Sequence, residues 1–217
     1  MSEHRMPLTD YSMISFDVDQ TIFSQPCLRQ TAHTLGFGDK WDQYDEMHKK
    51  GRISLRERLF SHYKLLKGMA LSNVITEVSK VEVMRNIRET VVKLQGHQIK
   101  VILLTDLPDF VCSYLIERFS FEGYVASKVG VKDGYITDDI EPLPDKRLGL
   151  RKYSAWTGIP LSRCIHVGDG MNDIPVFRIV GYSVALNSKL AKVKALAAYE
   201  MTSDDMLGVY RHLQALR

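Results

Sequence analysis

Residues 13–23 read MISFDVDQTIF, and this stretch decides the fold. The short β-type run Met13–Phe16 is followed directly by Asp17 and Asp19. Residues i and i+2 of an extended chain lie on one face, so both carboxylates are expected to point into one pocket. Two carboxylates so close repel each other, which is typical of a site that binds a cation or keeps one acid protonated. The alternative is a pair of aspartates that only form a turn.

Further β-type runs alternate with segments whose apolar residues have helical spacing. The β-type runs are 100–104, 124–126, 164–167 and 182–185, and the helical segments include 81–94 and 110–119. Such βαβ alternation predicts an α/β fold whose core is a doubly wound, Rossmann-like parallel sheet. In that architecture ligands bind at the carboxyl ends of the strands.

Two more of these strands end in polar residues. Thr105 and Asp106 follow the run 100–104, and residues 168–173, GDGMND, follow the run 164–167. We expect the glycines to permit a tight turn with positive φ. Asp169 is expected to face the first aspartate pair and to complete an oxygen-ligand site for Mg²⁺, with Asp173 in support. Asn172 and Asp173 also suit the start of the helix that follows.

The chain between the first two strands is longer than one crossover requires. Asp17 and Thr105 lie 88 residues apart, whereas a βαβ unit needs roughly 30 residues. The surplus lacks a strand pattern and includes the helical run 54–66, SLRERLFSHYKLL. We therefore expect residues 22–86 to form a small helical cap inserted after strand 1, and residues 1–21 plus 87–217 to form the α/β catalytic core.

Turn-forming and helix-capping residues predict a hairpin and a closing helix. Asp133-Gly134 favours a tight hairpin turn between the runs 129–131 and 135–137. The tail from Ser203 has a serine suited to cap a helix, acidic residues in the first turn and a terminal Arg217, so a closing helix is expected.

Composition excludes several classes of protein. The 217 residues are 45% hydrophobic and 25% charged, with a formal net charge of +3. Unbroken apolar runs such as 101–104 are only a few residues long, far short of the roughly 20 residues that span a bilayer. No basic block is long enough to follow a nucleic-acid backbone. The first ten residues lack a secretory pattern, so a cytoplasmic protein without membrane or nucleic-acid partners is expected. The sequence does not predict an oligomeric state.

The cysteines and lysines bear on the chemistry. Three cysteines without C-x-x-C spacing, Cys27, Cys112 and Cys164, suggest neither a disulfide framework nor a zinc site. We expect them to pack as small apolar residues. Phosphoryl transfer through an aspartyl-phosphate can use the aspartate pair, since one carboxylate attacks phosphorus and the other protonates the leaving oxygen. The phosphorylated intermediate of such a reaction needs a balancing cation, for which Lys146 is the best candidate, with Lys128, Lys132 and Arg147 as alternatives.

Together these residues resemble the haloacid dehalogenase superfamily, whose four motifs occur here in order. The first reads Asp17-Val-Asp19-Gln-Thr21, the second and third are Thr105 and Lys146, and the fourth is the stretch 168–173. The similarity covers nearly the whole chain and is strongest to the phosphoserine-phosphatase-like branch, which has a small helical cap.

The resemblance implies a role for each motif residue. Asp17 is the nucleophile that forms an aspartyl-phosphate, and Asp19 is the general acid and then the general base. Mg²⁺ is held by Asp17, the backbone carbonyl of Asp19 and Asp169, with Asp173 in support. Thr105 and Lys146 hold the phosphoryl oxygens. An acid at position 19 implies a phosphatase or phosphotransferase rather than a dehalogenase.

Departures from the branch bear on the substrate. Phosphoserine phosphatases have a glutamate where this chain has Pro26, and glycines where it has Asp106-Leu107-Pro108. The cap motif Ser54-Leu55-Arg56-Glu57-Arg58 is kept. Arg58 is therefore expected to meet a substrate carboxylate, the alternative being a helix arginine paired with nearby acids. Asp106 is expected to repel a carboxylate near the phosphate.

The leading hypothesis is a Mg²⁺-dependent phosphatase that hydrolyses a small phosphorylated metabolite. Two alternatives remain at this stage. A phosphotransferase would pass the aspartyl-phosphate to an alcohol and would share every motif. A non-catalytic module that binds Mg²⁺ or phosphate would have no need of the acid Asp19.

Overall fold

The computed structural model describes residues 6–216, which are organised around one seven-stranded sheet. In chain order the strands are β1 (Met13–Phe16), β2 (Lys100–Pro108), β3 (Tyr124–Lys132), β4 (Tyr135–Glu141), β5 (Cys164–Gly168), β6 (Tyr182–Leu186) and β7 (Tyr199–Met201). In space their order is β4-β3-β2-β1-β5-β6-β7, and all neighbours are parallel except β3 and β4. The sheet grows outward from β1 in both directions, which confirms the predicted doubly wound α/β core. The sequence pattern does not predict the short β7.

Helices cover this sheet on two faces. The helices are α1 (Cys27–Thr34), α2 (Gly38–Lys49), α3 (Leu55–Lys64), α4 (Leu71–Ser79), α5 (Ile87–Gly96), α6 (Asp109–Phe119), α7 (Lys146–Thr157), α8 (Ile174–Phe177), α9 (Ala191–Leu196) and α10 (Leu207–Gln214). Successive residues of β1 belong to separate apolar clusters: Met13 packs with Leu150 and Val176, and Ile14 lies in the cluster of Val91 and Val209. Burial on both faces explains why this strand is apolar rather than alternating.

Helices α1 to α4 form the insertion between β1 and α5. The chain leaves the sheet through residues 22–24 and returns through residues 82–84, and these two segments pair with each other. Ser24 N donates to Glu82 O and Met84 N donates to Ile22 O, both at 2.9 Å. On this basis we propose that residues 22–86 are the cap and that residues 1–21 plus 87–217 are the core.

The cap also contacts the hairpin of β3 and β4. Gly68 N donates to Ile136 O at 2.8 Å, and Ile136 N donates to Met69 O at 3.0 Å. The turn itself is as predicted, because Asp133 and Gly134 have φ values of 53° and 83°. The predicted runs 124–126 and 129–131 belong to one continuous strand, β3.

The helical prediction for residues 81–94 is wrong at its start. Helix α5 begins only at Ile87, because residues 82–84 pair with the outgoing segment and Asn86 adopts a left-handed φ of 57°. The predicted run 54–66 does form a helix, α3, which Ser54 caps together with Glu57. The prediction for 110–119 matches α6 closely.

The closing helix exists, but Ser203 does not cap it. Helix α10 begins at Leu207 after Met206. The Ser203 hydroxyl instead accepts a hydrogen bond from Asp205 N at 3.1 Å, within the preceding turn. Asp205 Oδ1 accepts from Leu207 N at 2.9 Å. The terminal arginine, Arg217, lies outside the described residues.

Cys27, Cys112 and Cys164 are free and buried, as predicted for apolar packing residues. Among residues 6–216, the helices are too short or too polar to span a bilayer.

Candidate active site

The carboxyl ends of the three central strands meet at one cavity. Asp17 follows β1, Asp169 follows β5, and Asp106 lies near the end of β2. All three line a cavity of about 250 Å³, which residues of the cap close from the other side. The lining residues include Asp19 and Gln20 of the first loop, which follows β1, and Pro26, Trp41, Asp45, Arg58, His62 and Tyr63 of the cap. The position of β1 at the switch point of the sheet accounts for this convergence.

Lys146 joins two buried carboxylates beneath the cavity. Its Nζ lies 2.6 Å from Oδ1 of Asp17 and 2.8 Å from Oδ1 of Asp173. The lysine begins α7, where Asp145 caps the helix through Leu148 N. Val18 N also donates to Asp17 Oδ1 at 2.7 Å, whereas Oδ2 receives no hydrogen bond from the described residues. One oxygen of Asp17 is therefore held and the other is available to react or to bind a cation.

Asp173 organises the loop after β5. Its Oδ1 contacts Lys146 and His166 Nε2, and its Oδ2 accepts hydrogen bonds from Asp169 N and Gly170 N at 3.0 and 2.9 Å. Both carboxylate oxygens are thus engaged within the protein. The expected role of Asp173 as support for the ligands fits this arrangement better than direct ligation. His166 is fully partnered beside the site, since its Nδ1 contacts Ser15.

The expectation of positive φ at the glycines of this loop is wrong. Gly168 and Gly170 are absent from the residues with positive φ. Space is the reason for glycine instead: a Cβ on Gly168 would lie 2.4 Å from the carboxyl group of Asp173. A Cβ on Gly170 would lie 2.6 Å from Asn172 Oδ1. The glycines therefore let the Asp173 carboxylate fold back against its own loop.

The carboxylates of this cluster carry more negative charge than the protein neutralises. Asp17, Asp169 and Asp173 each offer an oxygen within 4.8 Å of the others. Burial, and then Asp173, raise the pKa of Asp17 well above its usual range, although Lys146 opposes the rise. Burial and Asp173 also raise the pKa of Asp169 to about 7. Burial acts the same way on Asp173, but Lys146 and His166 hold its pKa well below the usual range.

Such a cluster is chemically suited to a hard divalent cation. One lysine faces three buried carboxylates, and the raised pKa values of Asp17 and Asp169 report the charge that remains. Mg²⁺ prefers one or two carboxylates of this kind and keeps water or phosphate oxygens as its other ligands. The residues present therefore fit the ion that the sequence predicts.

Asp19 connects the first loop to the cap. Its Oδ1 accepts a hydrogen bond at 2.8 Å from Cys27 N, at the start of α1. Burial raises the pKa of Asp19 to about 6, although the bond from Cys27 opposes the rise. Gln20, which has a left-handed φ of 59°, donates from Nε2 to Asp169 Oδ2 at 3.2 Å. The first loop is thus tied both to the cap and to the loop after β5.

Two further predictions for the phosphate site concern Thr105 and the cation that faces Asp17. Thr105 is buried in β2, and its Oγ1 accepts a hydrogen bond from Leu107 N at 3.2 Å. Its hydroxyl proton remains available to another acceptor. Of the candidate cations only Lys146 reaches Asp17, since Lys128 pairs with Glu141 on the hairpin and Arg147 pairs with Asp145.

Arg58 and Asp106 meet each other in the cavity. Arg58 Nη2 lies 3.9 Å from Asp106 Oδ2, and its Nη1 lies 3.4 Å from Asp45 Oδ1. Arg58 thus pairs with nearby acids, as the alternative above expects, but it lines the cavity with its side chain only 25% exposed, and its contact with a substrate stays a prediction. The backbone of Asp106 is fixed, because its carbonyl accepts hydrogen bonds from the Tyr63 hydroxyl of the cap and from Ser127 Oγ.

Sequence reasoning misses most of the cap residues that line the cavity. Trp41 is expected to pack helices, with shielding of the site from water as the alternative. It belongs to the apolar core and also lines the cavity, where its ring stacks on His62 at 3.9 Å between centroids. Nothing in the sequence distinguishes Asp45 from other acids on the surface of a helix. A usable signal exists for His62, which lies four residues after Arg58 in α3 and so shares its face.

Comparisons with known proteins agree with this geometry. A family model described as haloacid dehalogenase-like hydrolase matches residues 72–213. The phosphoserine phosphatase of Methanocaldococcus jannaschii is 26% identical over 188 residues, covering 84% of this chain and 89% of that protein. That of Albidiferax ferrireducens is 29% identical over 212 residues, covering 90% and 86%.

Solved structures share the fold. A HAD family hydrolase from Salmonella enterica serovar Typhi has a TM-score of 0.82 at 19% identity, over 90% of this chain and 68% of that chain. A phosphoserine phosphatase described as a phospho-aspartyl intermediate analogue has a TM-score of 0.77 at 23% identity, over 93% and 98%.

Proposed function

This chain belongs to the haloacid dehalogenase-like hydrolases and is a phosphatase of that family, and we propose that it hydrolyses a small phosphorylated metabolite with the help of Mg²⁺. One observation carries the proposal: Asp17, held on one oxygen by Lys146, opens onto a cavity that Asp19 and Asp169 also line. The relatives named above are phosphoserine phosphatases.

Asp17 is the nucleophile in this proposal. Lys146 and Val18 N fix the Asp17 carboxylate through Oδ1. One oxygen of this carboxylate attacks the phosphorus atom and the ester oxygen departs, while the other would face the metal. The product of this step is an aspartyl-phosphate, which water then hydrolyses to release phosphate and restore the carboxylate. Lys146 remains beside the reacting group and offsets its negative charge.

Asp19 is the proton donor and then the proton acceptor in this proposal. It lines the cavity two residues from the nucleophile and is fixed by the Cys27 N–H on Oδ1. In the first step it gives a proton to the departing alcohol, and in the second it takes one from the attacking water. Thr105 lies on β2 two residues beyond Leu103, the partner of Phe16, and its hydroxyl proton is assigned to a phosphoryl oxygen.

The metal would be held by the carboxylates of Asp17 and Asp169 and by the backbone carbonyl of Asp19. Asp173 would support these ligands through the hydrogen bonds that it accepts from Asp169 N and Gly170 N. When bound, Mg²⁺ offsets the charge of the phosphate and of the carboxylates around it.

The cavity suits a small molecule. Its volume of about 250 Å³ lies near the lower end of the roughly 300–1,000 Å³ that is typical of small-molecule pockets. We therefore infer a substrate made of a phosphate group and a short organic group. Pro26 lines the cavity, so the acidic residue that phosphoserine phosphatases are expected to have there is replaced by an uncharged one.

The test is phosphate release from a panel of phosphorylated metabolites, with Mg²⁺ and with a chelator. We expect release only with metal, and loss of release in Asp17→Asn but not in Asp39→Asn, which removes an exposed carboxylate of the cap. Folded wild-type protein that releases no phosphate from any ester would contradict the proposal. Phosphate that appears on an added alcohol instead of in solution would indicate a transferase.

A further inference from the structure

The cap side of the cavity carries an uncompensated negative charge. Asp45 and Asp106 face a single guanidinium group there, that of Arg58. Arg29 also lines the cavity, but Asp42 neutralises it through two hydrogen bonds of 2.7 and 3.0 Å. The three aspartates and two arginines together leave the part of the cavity above the phosphate site one negative charge in excess.

His62 adds no positive charge at neutral pH. Burial lowers the pKa of His62 to about 4, even though its Nε2 contacts Trp41 O. Its nearest carboxylate, Asp45, lies 3.6 Å away and is therefore not neutralised by it. The positive charge of Arg58 also lowers the pKa of His62.

Arg58 is already engaged by acids of the protein. Each of its two terminal nitrogens faces a different carboxylate, Asp45 at 3.4 Å and Asp106 at 3.9 Å. A substrate carboxylate that displaced one of these acids would bring a second negative charge into a region that already has an excess. The ionic balance therefore disfavours an anionic leaving group.

The carboxylate of Asp106, in contrast, can accept further hydrogen bonds. Among the described residues its carboxylate has the loose contact with Arg58 and receives no hydrogen bond. Its backbone carbonyl accepts hydrogen bonds from the hydroxyl groups of Tyr63 and Ser127, so the residue has a fixed position beside Thr105. The side chain is 20% exposed and lines the cavity.

We propose, on the basis of the proposed function, that the substrate is the phosphate ester of a small amino alcohol, whose ammonium group binds Asp106. One ammonium group neutralises the excess charge and supplies the hydrogen bonds that the Asp106 carboxylate lacks. Hydrolysis breaks only the bond between phosphorus and the ester oxygen. The alcohol leaves with one proton, and the amine is chemically unchanged.

The test compares kcat/KM for esters that differ in one group. The probes are 2-aminoethyl phosphate, its neutral counterpart 2-hydroxyethyl phosphate, and O-phosphoserine, which adds a carboxylate to the amine. We expect the aminoethyl ester to exceed both others by at least about tenfold, equivalent to about 1.4 kcal/mol. In Asp106→Asn the preference for the aminoethyl over the hydroxyethyl ester is expected to fall by a similar factor.

Asp39→Asn is the matched control, since it removes the same charge from an exposed position of the cap. It is expected to keep the wild-type preference. The wild-type comparison tests the proposal even if Asp106→Asn fails to fold.

Four results would overturn the inference. Equal rates on the aminoethyl and hydroxyethyl esters would show that no amine is recognised, while the phosphatase itself would stand. A tenfold or greater preference for O-phosphoserine would assign Arg58 to a substrate carboxylate, and an unchanged preference in Asp106→Asn would assign the amine to another group. Release from none of the esters would overturn this inference and the proposed function together.

Discussion

The Nζ atom of Lys146 lies 2.6 Å from Oδ1 of Asp17, and both side chains are almost fully buried. The same ammonium group lies 2.8 Å from Asp173. Burial lowers the pKa of Lys146, but Asp17 and Asp173 more than reverse this and hold the lysine charged. One cation thus serves both the stability of the loop after β5 and the placement of the Asp17 carboxylate.

Replacing Lys146 is therefore expected to damage stability as well as activity. Lys146→Met leaves Asp17 and Asp173 without their cation and should lower the free energy of unfolding by about 3 to 5 kcal/mol. Urea unfolding at neutral pH measures this, with the exposed Lys128→Met as control. In an Asp17→Asn background the same change should cost at least about 1 kcal/mol less. Equal costs in the two backgrounds would show that the two residues do not interact.

Adding one methyl group at Gly168, at the end of β5, is expected to destabilise the folded protein. A Cβ there would lie 2.4 Å from the Asp173 carboxyl group, which four donors hold in place. Gly168→Ala is expected to lower the free energy of unfolding by about 1 to 3 kcal/mol. Gly96→Ala in α5, where no atom lies within 4 Å, should instead be neutral or stabilising by up to about 1 kcal/mol. Similar effects of the two substitutions in urea unfolding would contradict this account.

His62 gives the cap a pH-dependent stability. Its pKa is lowered from 6.5 to about 4 by burial, so the unfolded chain takes up a proton at a higher pH than the folded chain does. The contribution of the neutral His62 to the free energy of unfolding is therefore present above pH 6.5 and is lost as the pH falls from 6.5 to 4. Wild type should lose about 2 kcal/mol more than His62→Gln between about pH 7 and 5. Parallel pH profiles of the two proteins would show that His62 titrates normally.

Mg²⁺ is expected to stabilise the folded chain without any substrate. Binding only to the folded state raises the free energy of unfolding by about 2.7 kcal/mol at a metal concentration of 100 times Kd. Asp169→Asn should abolish this increase, and Asp39→Asn should retain it. A monovalent salt of equal ionic strength controls for screening. If Asp169→Asn is stabilised as much as wild type, the ion binds elsewhere.

Features that local pattern determines are predictable from the sequence. Buried parallel strands are recognised as continuous apolar runs. The polar residues that follow them are predicted site residues, which include Asp17, Thr105 and Asp169. Capping chemistry likewise identifies the start of α3, where Ser54 and Glu57 form reciprocal hydrogen bonds. These features depend on residues close together along the chain.

Features that depend on distant contacts escape such prediction. Residues 82–84 have helical spacing but pair with residues 22–24, because the two connections of the cap run side by side. The reason for Gly168 is the carboxyl group of Asp173, which periodicity does not reveal. Trp41 looks the same in sequence whether it packs a helix or lines a cavity. The pairing of Arg58 with Asp45 likewise joins two separate cap helices.

The central claim is that Asp17 carries the phosphoryl group during turnover. Acid quenching during turnover, followed by peptide mass spectrometry, measures it directly. We predict the mass of one phosphoryl group on the peptide that contains Asp17 in the wild-type protein, and none in Asp17→Asn. Turnover without a covalent phosphoryl group, or with the group on another residue, would contradict the account.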